Sequence, residues 1–409
     1  MSTLNADVLA IVASFLDTYE LLQIGLASRA LRELAYPFLY SDIHVDTLPR
    51  LLSVADTIRR IPHLAPHVRS LTEAVSSCRP FYAGVSPSQW PEYMMRLLEL
   101  LESARSLTRL ALSVPADFCG DAQAQMFRPR LLWALSGLVH LTHLAITDVD
   151  FTALDLLDTC APLRVLHLSP SHTEWIGASE TVPARLAWIA KMFSALDRHH
   201  VHTLVELNIP YASVVQKPQF AHIRMSALTT LIIPEGVTLY PEVAATFPNL
   251  RHLRVGVGPH CLKEIDKVWP SLEHLELESC EAGILSPEHH IRSLSIRIER
   301  DEFRKYVPSL ASPHVESLKL RWEVAPPRMR DIGDYFPNVK YVDLPMTLDR
   351  LLAMWDSVMH KCPNWDSQIE MYDFTIKVMP PPAVDWVPNP PLEYFAKAAN
   401  PQLRAIVIS

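Results

Sequence analysis

The stretch FPNLRHLRV (247–255) is followed by WPSLEHLEL (269–277) and later by FPNVKYVDL (336–344). All three share one plan: an aromatic residue, proline, any residue, then apolar residues at positions four, seven and nine. The tail of that plan alternates apolar with polar, which is the pattern of a strand with one buried face. Working outward, the spacing apolar-x-x-apolar-x-apolar recurs where the flanking words differ. It fits Leu107/Leu110/Leu112, Leu141/Leu144/Ile146, Leu163/Leu166/Leu168, Leu204/Leu207/Ile209 and Leu228/Leu231/Ile233. It continues at Leu250/Leu253/Val255, Leu272/Leu275/Leu277, Ile291/Leu294/Ile296, Val315/Leu318/Leu320, Val339/Val342/Leu344 and Leu403/Ile406/Ile408.

From 204 to 339 successive starts lie 24, 22, 22, 19, 24 and 24 residues apart, in or beside the period of leucine-rich repeats. The expected fold class is therefore α/β: a leucine-rich-repeat solenoid with parallel strands on a concave face and helices or irregular segments outside. Two steps are longer. The 41-residue step from 163 to 204 holds a helix pattern with Leu186, Ile189, Phe193 and Leu196 on one face. The 64-residue step from 339 to 403 hides a degenerate unit, Ile369/Tyr372/Phe374. Outer helices are also legible at 89–104, with Trp90, Tyr93, Met94, Leu97, Leu98 and Leu101, and at 151–160, with Leu154, Leu157 and Cys160. The Asn or Cys that usually bonds the turn three positions past the last apolar residue is matched by Cys280 alone, so the repeats are irregular, with insertions near 170–203 and 346–400. The proline-rich segment 378–391 reads as one such insertion.

Of 409 residues about half are apolar, and the 34 prolines against 10 glycines punctuate unit borders. A net charge of -8 argues against nucleic acid as a partner, because phosphate tracking needs clustered Lys and Arg. Neither a signal peptide nor an apolar run long enough for a membrane is evident. Cys78, Cys119, Cys160, Cys261, Cys280 and Cys362 lie far apart without a Cys-x-x-Cys pair, the usage of buried reduced thiols. These features point to the cytosol or nucleus and to no membrane partner.

Residues 4–45 have a different rhythm, three short helical words each preceded by a capping residue: Asn5, Asp17 and Ser28. The first carries Val8, Ile11, Val12 and Phe15, the second Leu21, Leu22 and Ile24, the third Leu31, Leu34 and Ala35. A unit this small buries little surface and is usually stabilised by docking on something. With Leu4, Leu9, Leu16, Leu26, Ala27, Arg29, Pro37, Leu39 and Tyr40, the stretch resembles the F-box that heads many fungal leucine-rich-repeat proteins. It departs from the family's Leu-Pro start at Leu4-Asn5. The resemblance implies docking on a Skp-type adaptor of a cullin ubiquitin ligase through Leu4, Val8, Leu9, Val12, Leu16, Leu21, Leu22, Leu26 and Leu31. It divides the chain into an F-box (1–46), a connecting segment (47–66) and the repeats (67–409). The other reading is a scaffold whose N-terminal helices only cap the solenoid.

Residues between the buried positions of each strand face outward. Early strands offer Ala111, Ser113, Ala145 and Thr147, all small. Later ones offer His252, Arg254, His274, Glu276, Glu278, Arg297, Lys319, Arg321, Trp322, Tyr341 and Asp343. With strands about 4.8 Å apart, Arg254 is expected beside Glu276 and Glu278 beside Arg297. Two readings stand: a self-neutralising ladder, or a recognition surface for an unknown protein substrate with Arg321, Trp322 and Tyr341 as anchors. No nucleophile elbow, phosphate loop, dinucleotide fingerprint or zinc-helix motif occurs. No catalytic residue, cofactor or metal is expected. His199, His200 and His202 sit where a helix ends and the dipole favours them, and His289 and His290 read likewise as structural.

Overall fold

The computed structural model describes residues 6–73, 89–113, 122–149, 153–170, 182–209, 223–237, 243–257, 264–277, 285–298 except 287, 307–322, 335–336, 338, 341–343 and 373–375. The chain divides into two compact units, one comprising Met1–Pro210 and Gln219–Leu228, the other Tyr211–Pro218 and Thr229–Ser409.

The first unit opens with three helices, α1 (Ala6–Ser14), α2 (Thr18–Ala27) and α3 (Arg29–Leu39). Their boundaries follow from the expected caps. The Glu20 N–H donates to Asp17 Oδ1 at 2.8 Å while the Asp17 N–H donates to Glu20 Oε2 at 2.9 Å, a reciprocal capping box at the start of α2. The Leu31 N–H donates to Ser28 Oγ at 3.2 Å and starts α3. Asn5 lies outside the described residues. The three helices close on Ala13, Leu21 and Ala35, with Leu16, Phe38 and Leu39 packed around them.

Six strands follow in chain order, every pairing parallel: β1 (Asp42–Val45), β2 (Ser70–Glu73), β3 (Arg109–Ser113), β4 (His143–Val149), β5 (Val165–Pro170) and β6 (Glu206–Asn208). The strands begin earlier than the repeat spacing suggests: the β1 unit carries Tyr40, Ile43 and Val45 at the template's places, and the β2 unit carries Val68 and Leu71 with Glu73 in the third. Residues 47–66, read from sequence as a connection, fold into α4 (Leu48–Arg60) and a short 3-10 helix (Pro62–His67). Leu48, Leu51, Ala55, Ile58 and Leu64 are buried there. The outer helices expected at 89–104 and before 204 are α5 (Trp90–Ser103) and α7 (Val182–His199), with α6 (Ala122–Ser136) between them. Tyr93, Met94, Leu97, Leu98, Leu101, Phe193 and Leu196 are buried as the periodicity requires. The segment expected as a helix at 151–160 forms a 3-10 turn (Ala153–Leu156) with Leu154, Leu157 and Cys160 inside.

The second unit repeats the scheme with β7 (Thr230–Val237), β8 (His252–Val257), β9 (His274–Leu277), β10 (Ser293–Ile298), β11 (Ser317–Trp322), β12 (Tyr341–Asp343) and β13 (Asp373–Thr375), again parallel and in chain order. Phe374 of the degenerate unit pairs with Val342; Ile369, Tyr372 and the final triplet Leu403/Ile406/Ile408 lie outside the described residues.

The repeated word is explained by packing. Phe247, Trp269 and Phe336, the aromatic first letters, are buried, as are Leu250 and Leu272 three positions on. The Trp269 Nε1–H donates to the Phe247 carbonyl at 2.9 Å, linking one unit's plug to the next. The backbone repeats too. One carbonyl ahead of each strand accepts two consecutive N–H groups from the next: Arg251 takes Glu273 and His274, Glu273 takes Arg292 and Ser293, and Arg292 takes Glu316 and Ser317. The same ladder runs through Ser41, Arg69, Thr108, Thr142 and Arg164 in the first unit. It satisfies backbone groups at each of these steps, and the Asn338 side-chain amide adds a bond to the Pro313 carbonyl at 2.8 Å. This is an α/β topology compatible with a solenoid.

Candidate functional site

Surface candidates occur in both units. In the first, α1 turns Val8, Ile11 and Val12 to solvent, and Phe15 in the turn just past its end continues the i, i+3, i+4, i+7 spacing. Tyr19, Leu22 and Leu26 form the matching stripe on α2. Ile11 is 60% exposed, Phe15 83% and Leu26 71%. These seven large side chains, two of them aromatic, give the three-helix unit exposed apolar surface of the kind that marks interaction sites. The sequence reading of this face needs one correction. Leu21 is 5% exposed and belongs to the bundle core against Ala13 and Ala35, because its position on α2 points toward α3. Val8, Val12, Leu22 and Leu26 are exposed as expected, Leu9, Leu16 and Leu31 are half-buried, and Leu4 lies outside the described residues. Ile11, Phe15 and Tyr19 complete the face; their spacing on the helices was the available signal.

The opposite side of the bundle is occupied. Tyr36 of α3 meets the His63 ring at 6.1 Å, and Glu33 lies 3.6 Å from His63, so α3 packs on the 3-10 helix ahead of β2.

On the solvent side of the first unit's sheet Ala111 pairs with Ala145, small residues as expected, and Ser113 is in backbone register with Thr147. The neighbouring register positions, which sequence reasoning passed over, are charged. Arg109 bonds Asp42 at 2.6 Å and His167 bonds Glu206 at 2.7 Å. Between them, burial followed by the Arg109 and Arg164 charges pushes the His143 imidazole below its ordinary range. The signal lay in the template itself, since Arg109 and His143 hold the place that His252 holds later.

In the second unit Arg254 stands opposite Glu276, with its Nε 3.4 Å from the carboxylate, as expected. His252 stacks on His274 with ring centroids 4.1 Å apart. Ahead of the strands, Arg251 and Glu273 approach to 3.8 Å, and Arg292 and Glu316 continue the alternation of sign. Lys319 faces Asp343 and Arg297 faces Arg321 in register. Trp322 and Tyr341 lie on their strands, whereas Glu278 lies outside the described residues.

The buried histidines are fastening points. The Leu163 N–H donates to His200 Nδ1 at 3.0 Å, and His200 Nε2–H donates to the Leu157 carbonyl at 3.0 Å. His289 repeats the device: its Nε2–H donates to Leu310 at 3.1 Å and its Nδ1 accepts from Ile291 at 3.3 Å. Both nitrogens of each ring are engaged, and burial pushes both imidazoles down. Burial pushes the Cys160 thiol up to about 12. The other five cysteines lie outside the described residues. Among the described residues no group of three or more His, Cys, Asp or Glu is placed to hold a metal, and no helix is long and apolar enough to cross a membrane. A cleft of about 380 Å³ beside Asp266, Trp269, Ser286 and His290 is closed chemically, since Asp266 accepts both the Ser286 N–H and its hydroxyl. Compared with known proteins, the chain matches no family model and no curated sequence.

Proposed function

We propose that this chain is the substrate-recognition subunit of a Skp-cullin-F-box type ubiquitin ligase, with its strands stacked as irregular leucine-rich repeats. The observation that carries the reading is the apolar face of α1 and α2. Seven large apolar side chains stand in solvent on a bundle whose own core needs only three buried residues. Exposing such a face is costly unless a partner covers it. In this reading α3 ties the bundle to the first unit while α1 and α2 hold the adaptor, and the sheet surface holds a target protein. The chain supplies no reacting group; it raises the target's local concentration at the recruited conjugating enzyme.

The packing of α3 on the 3-10 helix favours a second reading, a non-degradative scaffold whose helices cap the sheet. Capping uses α3 and leaves the α1–α2 face free, so the two readings separate experimentally. Co-purification of the full chain with a Skp-type adaptor is expected, and replacing Phe15 and Leu26 with Asp is expected to abolish it while the chain stays monodisperse. A full chain that ignores the adaptor leaves the scaffold.

A further inference from the structure

A second exposed apolar stripe lies on the outer helices of the first unit. On α6, Met126, Pro129 and Trp133 follow the i, i+3, i+7 spacing of one helix face, and all three are exposed, Met126 by 76% and Trp133 by 56%. Exposed Met95 of α5 adjoins them through Arg130, whose Nη1 lies 3.3 Å from its sulfur. The charges around this stripe are unequally engaged. Arg130 holds the Glu102 carboxylate with two prongs, Nε at 2.5 Å and Nη2 at 2.7 Å, and the two cancel. Arg105, exposed in the turn after α5, has no such partner. Its Nε–H donates to the Glu102 carbonyl at 2.9 Å, and its Cζ stands 5.2 Å from the centre of the Trp133 ring. Neither Nη has an acceptor among the described residues. The guanidinium is also held in place, because it fills the space over Gly137, where a β-carbon would collide with Nη1. Single apolar residues are ordinary on a surface. A half-exposed indole that carries a fixed cation with two unused donor groups is not.

We propose that Arg105 and Trp133 form a docking site for a segment of a partner protein in which a carboxylate stands beside large apolar side chains. Charge complementarity selects this occupant. Two arginines against one glutamate leave the cluster a net positive charge, and the paired Nη groups of Arg105 match the two oxygens of one carboxylate. The Trp133 ring and the Met126 and Pro129 side chains bury the neighbouring apolar groups, and Trp and Arg are the residues in which interface energy concentrates. An anionic membrane fits less well, since attraction to one grows with each free cation, and the described residues of this patch offer one. The site uses none of the α1–α2 face and does not rest on the ligase reading.

The test places the purified full chain on immobilised peptide libraries, degenerate in leucine, phenylalanine, serine and glycine around a central glutamate, glutamine or lysine. A fourth library holds glutamate among serine and glycine alone. Retention on the apolar glutamate library is expected to exceed each of the others at least about tenfold. Three variants assign that retention to this patch. Arg105→Gln should bring it down to the glutamine level, and Trp133→Ser should lower it at least about tenfold. Gly137→Ala, which removes no side chain but displaces the guanidinium, should lower it at least about threefold. Melting of Arg105→Gln and adaptor co-purification of all three should match wild type. Equal or absent retention across the libraries, or retention indifferent to any of the three variants, overturns the inference. Loss of adaptor binding in Trp133→Ser overturns it too, by placing the patch within the adaptor surface. Sedimentation with phosphatidylserine-containing vesicles that is lost in Arg105→Gln, without a peptide preference, replaces it with a membrane contact.

Discussion

Replacing Phe15 with alanine separates a docking surface from an idle one. Phe15 is 83% exposed in the turn just past α1, so of the roughly 150–250 Å² of an aromatic side chain it leaves about 125–200 Å² in water. At about 25 cal/mol per Å² its complete burial against a partner would stabilise the complex by about 3–5 kcal/mol. Alanine keeps the β-carbon, and association offsets part of the gain, so a loss of about 2–3 kcal/mol is the working figure, in the range of interface hot spots. That corresponds to a dissociation constant raised about 30- to 150-fold. The assay is calorimetric titration of purified Skp-type adaptor into full chain, wild type and Phe15→Ala, with thermal melts alongside. Because the side chain touches solvent and not the core, stability should stay within about 0.5 kcal/mol. An adaptor affinity unchanged by the substitution refutes the reasoning, since Phe15 is the most exposed of the large apolar residues on the proposed face.

Leu21→Ala should do the reverse, costing about 2–5 kcal/mol of stability by emptying the bundle core, seen as early loss of helical signal on heating. Asp17→Ala removes one side of the capping box and should cost about 1 kcal/mol by chemical denaturation. His200→Ala strands the Leu163 N–H and the Leu157 carbonyl, each about 1–3 kcal/mol when buried without a partner; a lower urea midpoint with unchanged adaptor affinity is expected. The pH dependence has a definite sign. His200 and His289 are held below the ordinary histidine range, chiefly by burial, with Asp158 and His199 near the first and Asp266, His290 and His314 near the second. The unfolded chain therefore takes up protons first as pH falls below about 6.5, and stability drops there while it is flat above. Urea midpoints at pH 7.5 and 5.5 should differ less in the His200→Gln, His289→Gln double variant than in wild type.

The strands were legible because their buried residues alternate and recur, and the caps because Asp17 and Ser28 act on backbone groups three residues away. What escaped the sequence depends on contacts between units. β1 and β2 were missed because the first place of the template is Tyr40 in one and the third is Glu73 in the other, while their pairing uses the same backbone ladder as the later strands. Leu21 and Leu22 look alike in sequence, yet a turn of about 100° per residue puts one against α3 and the other in solvent. His199 and His200 differ likewise: one is exposed, the other fastens two backbone segments 43 and 37 residues away. Two such histidines, in different units, each spend both nitrogens on turn backbone. Nothing in the period of the pattern marks either ring, because the carbonyl that each one bonds is brought close only by folding.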